Sequence, residues 1–376
     1  MAKTMKVALL DRRFAHSRQD LPEKFSVKPR IKWNEPTQNG NENTFAVIDT
    51  FDDVLTGPLR QGTDYTILQD YDLIYLRIRE LRSREVLKLH EKGQFVEMVE
   101  IEPIMDLRKT CPNSIIVGYT DEYVGVSRID HSMLDGLKKM AQYLDAIVCG
   151  FGRDYQADLF SQLGIENYYH LPYAGDVYHW KKYYKPPEEK EYRVSGMWHI
   201  RSYSGQGRGD RNHTTTFSIM KKLQDNHGIK CRFYLNFDGW KLEDALRGHI
   251  SRLGLNCELM QHMGSDEFYN SMASDLIFIE EYPAPAYSRA TVVSAAVGTP
   301  SISNYLNDPS RVCFPELTVE WDEKNKMVRL AEKLINDKLF YKQQAEAGFN
   351  NSEYYYYPAH KERVLELYDI LREKKQ

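Results

Sequence analysis

The stretch Ser274–Asn304, SDLIFIEEYPAPAYSRATVVSAAVGTPSISN, restricts the fold more than any other part of the chain. Leu276, Ile277, Phe278 and Ile279 form a short apolar run, the pattern of a strand covered on both faces within a parallel sheet. Glu280 to Tyr287 then carries prolines and alanines that continue neither strand nor helix. Ser288 is placed to cap a helix whose first turn holds Arg289 and Thr291, and whose small residues Ala295 and Ala296 allow close packing on a sheet. Gly298 ends that helix, Thr299-Pro300 turns the chain, and Ser301 to Ser303 opens the next strand. Such a β-α-β unit sets a loop and a helix N-terminus with free N–H groups at the carboxyl end of a strand. That is a natural anion site, although a unit with no ligand carries the same pattern.

A length of 376 residues suits two domains, each able to bury a core, and 42% hydrophobic with 28% charged residues describes a globular chain. No apolar run reaches the roughly 18 residues of a membrane span, and MAKTMKVALLD leads straight into a strand, so a cytoplasmic protein without a transmembrane segment is expected. The net charge of -4 argues against a generally basic nucleic-acid binder but leaves room for a local basic groove. The five cysteines are scattered, with no CxxC and no histidine at metal spacing. Reduced core thiols and no metal site are expected. The 26 tyrosines suit a broad polar-aromatic binding surface or reflect compositional bias of the source.

Strands are expected at Lys6–Asp11, Asp72–Ile78, Ser114–Val117 and Asp145–Cys149, with helices over His131–Leu144 and Asp154–Leu163. Arg12–Asn43 reads as a long irregular loop at the carboxyl end of the first strand. Arg12, Arg13 and neighbouring cations alternate there with Phe14, Phe25 and Trp33, which suits an anionic partner or a merely solvated loop. Asp70-Tyr71-Asp72 precedes its strand and reads as a polar turn, not as a metal-binding DxD. GYTDEY places Asp121 and Tyr123 just past a strand end, where Asp121 is either a cleft-facing acid or a turn cap. Two prolines in the charged run Tyr183–Glu191 mark a stiff linker. Beyond it, strands are expected at Tyr192–Trp198, Lys230–Asn236 and Cys257–Met260. Between the first two lies the loop SYSGQGRGDRNHTTTF, whose Gly205, Gly207 and Gly209 allow close approach and whose Arg208 and Arg211 supply cations beside His213. His262 follows the third strand, Ser265 is placed to cap the next helix, and Tyr354–Tyr357 precedes a final helix.

With GSDEFYNSMAS ahead of it, the Ser274–Asn304 stretch resembles the donor-binding half of GT-B glycosyltransferases, where a helix ends in a Gly-Thr-Pro turn. Leu171-Pro172-Tyr173-Ala174-Gly175-Asp176 and Trp180 similarly resemble the close of the first domain in the glycogen-synthase and sucrose-synthase type. One departure is Val293, which stands where many retaining members hold the nucleotide ribose with a glutamate; Glu280 or Glu281 is the candidate substitute. The resemblance implies an α/β chain of two Rossmann-like domains facing a cleft: residues 1–182 for the acceptor, a linker over 183–191, residues 192–353 for the donor, and a helix over 354–376 crossing back. It implies a metal-independent hexosyltransferase using a nucleotide-diphosphate sugar such as a UDP-sugar, with no other cofactor. Arg208 and Arg211 would stabilise the leaving diphosphate with Ser288 and Arg289, and His213, His262, Glu280, Glu281 and Thr291 would complete the donor site. Arg12, Arg13 and Tyr123 would meet the acceptor, a glycan or a nucleic-acid base, with Asp121 as base in an inverting reaction. A phage-type transferase acting on hydroxymethylated DNA bases, a GT-B epimerase and an inactive nucleotide- or glycan-binding module share these features.

Overall fold

Short apolar runs recur along the chain, and each becomes a strand of a parallel sheet. The computed structural model describes residues 5–11, 25–28, 50–51, 54–78, 101–120, 131–150, 152–198, 213–235, 243–261, 263–282 and 285–376. They divide into two compact units, Met1–Gly175 with Tyr357–Gln376, and Asp176–Tyr356.

In the first unit β1 (Val7–Asp11), β2 (Ser26–Lys28), β3 (Val54–Pro58), β4 (Leu73–Ile78), β5 (Ile115–Thr120), β6 (Ala146–Cys149) and β7 (Tyr168–His170) form a seven-stranded sheet ordered β2-β3-β1-β4-β5-β6-β7. Only β2 runs antiparallel to its neighbour. Leu10, Ile74, Ile116 and Ile147 from one face of the sheet pack with residues of α1 (Glu102–Thr110), α2 (His131–Ala141) and α3 (Arg153–Gln162). α3 lies between Gly152 (φ 66°) and Gly164 (φ 70°), left-handed positions that a glycine occupies without steric cost. Two expectations need correcting. The long loop after β1 contains the edge strand β2, and the strand expected to end at Val117 runs to Thr120, because Gly118, Tyr119 and Thr120 pair with β4 and β6. Asp70–Asp72 is a turn ahead of β4, where Asp72 Oδ2 accepts the Lys6 N–H at 2.9 Å.

The second unit opens with α4 (Val177–Lys181), capped by Asp176 Oδ1, which accepts the His179 N–H at 3.1 Å. β8 (Glu191–Trp198), α5 (His213–His227), β9 (Lys230–Leu235), α6 (Glu243–Arg252), β10 (Cys257–Met260), α7 (Ser265–Ser274), β11 (Asp275–Ile279), α8 (Arg289–Ala296), β12 (Ser301–Asn304), α9 (Asp308–Cys313), β13 (Thr318–Val319), α10 (Lys324–Asn336) and α11 (Lys338–Asn351) follow. The six strands are all parallel, ordered β10-β9-β8-β11-β12-β13. Gly264, not Ser265, is the residue ahead of α7, and no side chain caps that helix. The charged run before β8 holds a 3-10 turn at Pro187–Glu189. Gly298 ends α8 with φ 75°, and a Cβ there would lie 2.5 Å from the Tyr184 ring, so any larger residue meets strain and a clash together. Four of the five cysteines are buried. Many tyrosines expected at the surface, among them Tyr234, Tyr269, Tyr341 and Tyr355, are core residues instead.

The last helix, α12 (Tyr357–Lys375), returns to the first unit. Its buried His360 donates Nδ1–H to the Pro172 carbonyl at 3.0 Å, and Lys374 and Lys375 donate to Tyr169 Oη and the Ser114 carbonyl at 2.7 and 2.8 Å. Burial first, then the nearby Arg363 charge, lower the His360 pKa from 6.5 to about 3. The folded chain therefore refuses a proton that the unfolded chain accepts. Stability is complete above the unfolded value of 6.5 and declines as pH falls from there towards 3. Acid unfolding of the parent should be steeper than that of His360→Gln, by at most about 1.4 kcal/mol per pH unit. Parallel stability curves for the two proteins would contradict this.

Candidate functional site

In the second sheet β8 and β11 are neighbours, and the segments leaving them lead to helices that begin at the carboxyl edge, α5 and α8. This is the topological switch point of a doubly wound sheet, where such folds bind ligands. The two residues that follow β11 are Glu280 and Glu281, only 1% and 2% exposed. Burying two adjacent carboxyl groups is unfavourable unless each finds donors.

Successive residues of an extended chain point to opposite sides, and the two carboxyls accordingly meet different helices. Glu280 Oε2 accepts the hydroxyls of Ser288 at 2.5 Å, Thr291 at 2.9 Å and Tyr282 at 3.3 Å. Ser288 Oγ in turn accepts the Thr291 N–H at 3.2 Å, which makes Ser288 the N-cap of α8. Asn307 holds this corner from the far side: its Oδ1 accepts the Ser288 N–H at 3.1 Å and its Nδ2 donates to Thr291 Oγ1 at 2.8 Å. Asn304 Nδ2 donates to the Tyr282 carbonyl at 2.6 Å. The Glu280 side chain is thus fixed at the start of α8.

Glu281 interacts with Thr215 of α5 and with the charge of Lys324 at the start of α10. Burial raises its pKa, and Thr215 and Lys324 act in the opposite direction. Its Oε2 is buried and has no hydrogen-bond partner. α10 is tied along α5 by Lys222 Nζ to Asn325 Oδ1 at 3.2 Å and Asn226 Nδ2 to Glu332 Oε1 at 2.9 Å. Thr215, Lys222, Asp322 and Lys324 line a cavity of about 250 Å³ between these helices.

The opposite edge of the sheet is locked by its own buried charges. Asp275 Oδ2 accepts the Tyr234 hydroxyl at 2.5 Å and its Oδ1 an Arg232 N–H at 3.3 Å, while burial pushes its pKa up to about 6. Lys190 Nζ donates to the carbonyls of Ala273 and Val297 and to Thr299 Oγ1 at 2.7, 3.1 and 2.9 Å, joining the last turns of α7 and α8, and burial lowers its pKa to about 7.

Of the residues singled out from sequence, the structure gathers Glu280, Ser288 and Thr291 into one hydrogen-bonded corner, with Arg289 as the half-buried first residue of α8. Ser288 and Thr291, expected to face a donor, direct their hydroxyls to Glu280, and Ser288 caps the helix as expected. Glu281 lies beside that corner on the α5 side, and His213 is the first residue of α5. Arg12, Arg13, Asp121, Tyr123, Arg208, Arg211 and His262 lie outside the described residues. Asn307, Tyr282, Thr215 and Lys324 were not foreseen; the hydroxyl-rich HTTTF opening α5 is the one local signal that pointed towards Thr215. Among the described residues, no three His, Cys, Asp or Glu side chains gather as a metal site, and no helix is long and apolar enough to cross a membrane.

Two Rossmann-like α/β units, the second with a full switch point, and a final helix returning to the first unit define the GT-B fold. Among solved structures, HepE of Anabaena, crystallised with UDP, is similar over 97% of this chain and 100% of its own, with a TM-score of 0.62 at 12% identity. OtsA in its apo form is similar over 96% and 99% of the two chains, TM-score 0.63 at 9% identity. An alpha-glucosyltransferase in complex with UDP-glucose and DNA containing an abasic site is similar over 98% and 99%, TM-score 0.59 at 12% identity. No family model matches the chain, and no curated protein matches it.

The Glu280 corner makes a stability prediction. Asn307→Ala removes a donor and an acceptor from buried partners and should lower unfolding free energy by about 1–3 kcal/mol. An unchanged urea midpoint for Asn307→Ala would contradict this structural role of the corner.

Proposed function

We infer that this chain is a glycosyltransferase that takes a sugar from a nucleotide-diphosphate sugar, a UDP-sugar first among them, and passes it to an acceptor without a metal. The observation that carries this reading is the convergence of the starts of α5 and α8 at the carboxyl ends of the neighbouring strands β8 and β11, within a GT-B fold. Helix N-termini at such a place bind phosphate, and negative charge grows on the leaving diphosphate as the glycosidic bond breaks. The HepE structures hold UDP, UDP with glucose, and UDP-glucose, which favours this nucleotide over others.

In this reading the second unit binds the donor. Glu280 already answers the capped end of α8, so cationic side chains carry much of the diphosphate's charge: Arg208 and Arg211 from the segment between β8 and α5, and Arg289 on α8. Ser288 and Thr291 serve by fixing that helix end, and His213 and His262 flank the donor. The first unit takes the acceptor near Arg12, Arg13 and Tyr123, and Asp121 removes the acceptor proton if the configuration inverts. A nucleic-acid base as acceptor is a second reading, favoured by the likeness to the alpha-glucosyltransferase solved with DNA and by the cationic, aromatic run after Asp11. A cytoplasmic setting fits the five free cysteines.

A donor-hydrolysis screen across UDP-, ADP-, GDP- and TDP-sugars tests the reading, since turnover of none would leave only a binding module. Charge-assisted contacts contribute roughly 1.5–3 kcal/mol each, so Arg208→Ala, Arg211→Ala and Arg289→Ala should each weaken donor binding about tenfold or more. Unchanged affinity in all three folded variants would remove the donor site from this place. Turnover should also persist in chelator; its loss, restored by magnesium or manganese, would contradict the metal-independent chemistry.

A further inference from the structure

We propose that the second unit carries a surface for an uncharged glycan chain, built on Tyr178, Tyr184 and Tyr354. Tyr355 of the run Tyr354–Tyr357 is a core residue, but Tyr354 is 37% exposed, as is Tyr184, and Tyr178 is 50% exposed. They come from α4, from the segment after it, and from a 3-10 turn over Ser352–Tyr355. Tyr354 leans on Tyr355, and Tyr355 on Tyr287, the residue ahead of the cap Ser288, with ring centroids 5.1 and 5.7 Å apart. One end of the surface therefore lies near the start of α8, where the donor reading puts transfer. Binding of the glycan itself does not depend on that reading.

Each exposed ring is braced edge-on by a second one. Tyr178 meets Tyr356 at 4.2 Å and Tyr184 meets Phe349 at 4.9 Å, as Tyr354 meets Tyr355. Lys181 joins the three pairs: its Nζ lies 4.1 Å from the Phe349 ring centre and 5.9 Å from that of Tyr178, and it pairs with Glu353, next to Tyr354, at 2.7 Å. Rings held in this way lose little freedom when a partner arrives. A phenol offers an apolar face and a hydroxyl together, which matches a sugar ring with its apolar C–H face and its rim of hydroxyls. The charges select against an anionic partner. Lys181 is engaged by Glu353, Lys342 by Glu346 at 3.7 Å, and Lys185 donates to Ser274 Oγ at 2.7 Å. Burial, then the charges of Glu346 and Glu188, raise the Tyr184 pKa, which keeps that phenol a hydrogen-bond donor. Carboxylates beside the rings repel a polyanion such as a nucleic acid and accept hydrogen bonds from sugar hydroxyls.

The test is depletion of the full chain from solution by insoluble neutral polysaccharides (amylose, cellulose, chitin and a β-1,3-glucan), with heparin- and DNA-agarose as polyanions, at about 0.05 and 0.5 M salt. The parent should bind at least one neutral polysaccharide, equally at both salt concentrations, because no ion pair forms. Tyr178→Ala and Tyr354→Ala, rings from two different elements, should each weaken that binding about fivefold or more. Tyr178→Phe and Tyr354→Phe keep the rings and should retain most of it. Binding of the parent to none of the four, or binding that falls as salt rises, would overturn the proposal. So would equal binding by parent and folded alanine variants, which would put the glycan at an acceptor site elsewhere. Tyrosine-dependent capture by heparin or DNA would assign the surface to a polyanion instead, and a dimer that Tyr178→Ala dissociates in sedimentation equilibrium would assign it to a second copy; either result overturns the proposal. Donor hydrolysis should be the same in parent and variants. Its absence from the parent contradicts the nucleotide-sugar reading alone, whereas hydrolysis without tyrosine-dependent glycan binding contradicts this surface alone.

Discussion

Two consecutive glutamates at the end of one buried strand are the constraint around which the second unit is arranged. Neither carboxyl reaches bulk solvent, and removing ionised groups from water is tolerated only where protein donors or dipoles replace it. Glu280 obtains three hydroxyls at the start of α8, and that need explains the neighbouring sequence. Ser288 and Thr291 act as cap and donor, Tyr282 closes the loop, and Asn307 anchors both helix residues from beyond β12. Glu281 interacts instead with Thr215 of α5 and with the charge of Lys324 on α10.

The amino edge of the same sheet makes the contrast. There too a carboxylate, Asp275, and an ammonium, Lys190, are buried, but each has several partners that tie elements together. Those contacts are satisfied and serve architecture. These contacts tie the amino edge together, whereas ligands of doubly wound sheets bind at the carboxyl edge, at the switch point between β8 and β11.

Much of the framework was legible in the sequence because short parallel strands leave apolar runs, and because Gly164 and Gly298 mark helix ends that need positive φ. The Ser274–Asn304 unit formed as read, strand, cap and turn included. Other features left weaker traces. β2 has three residues at a sheet edge, too few for a periodic pattern, and Gly118-Tyr119-Thr120 reads as a loop although neighbouring strands recruit it. The division of labour between Glu280 and Glu281 was hidden for a physical reason: their partners come from residues 8 and 11 positions ahead and from separate helices. Nothing in a linear chain states which side of an extended residue faces which helix until strand order is known.

The central claim is that the starts of α5 and α8 form the donor site of a GT-B glycosyltransferase. Hydrogen–deuterium exchange with and without saturating UDP-glucose tests it most directly, because amides that gain a phosphate partner or lose access to water exchange more slowly. The account predicts slowing concentrated in the first turns of α5, from His213, and of α8, from Arg289, with the last turns of both helices unchanged. Slowing confined to the first unit, or to the amino edge around Asp275 and Lys190, would contradict it.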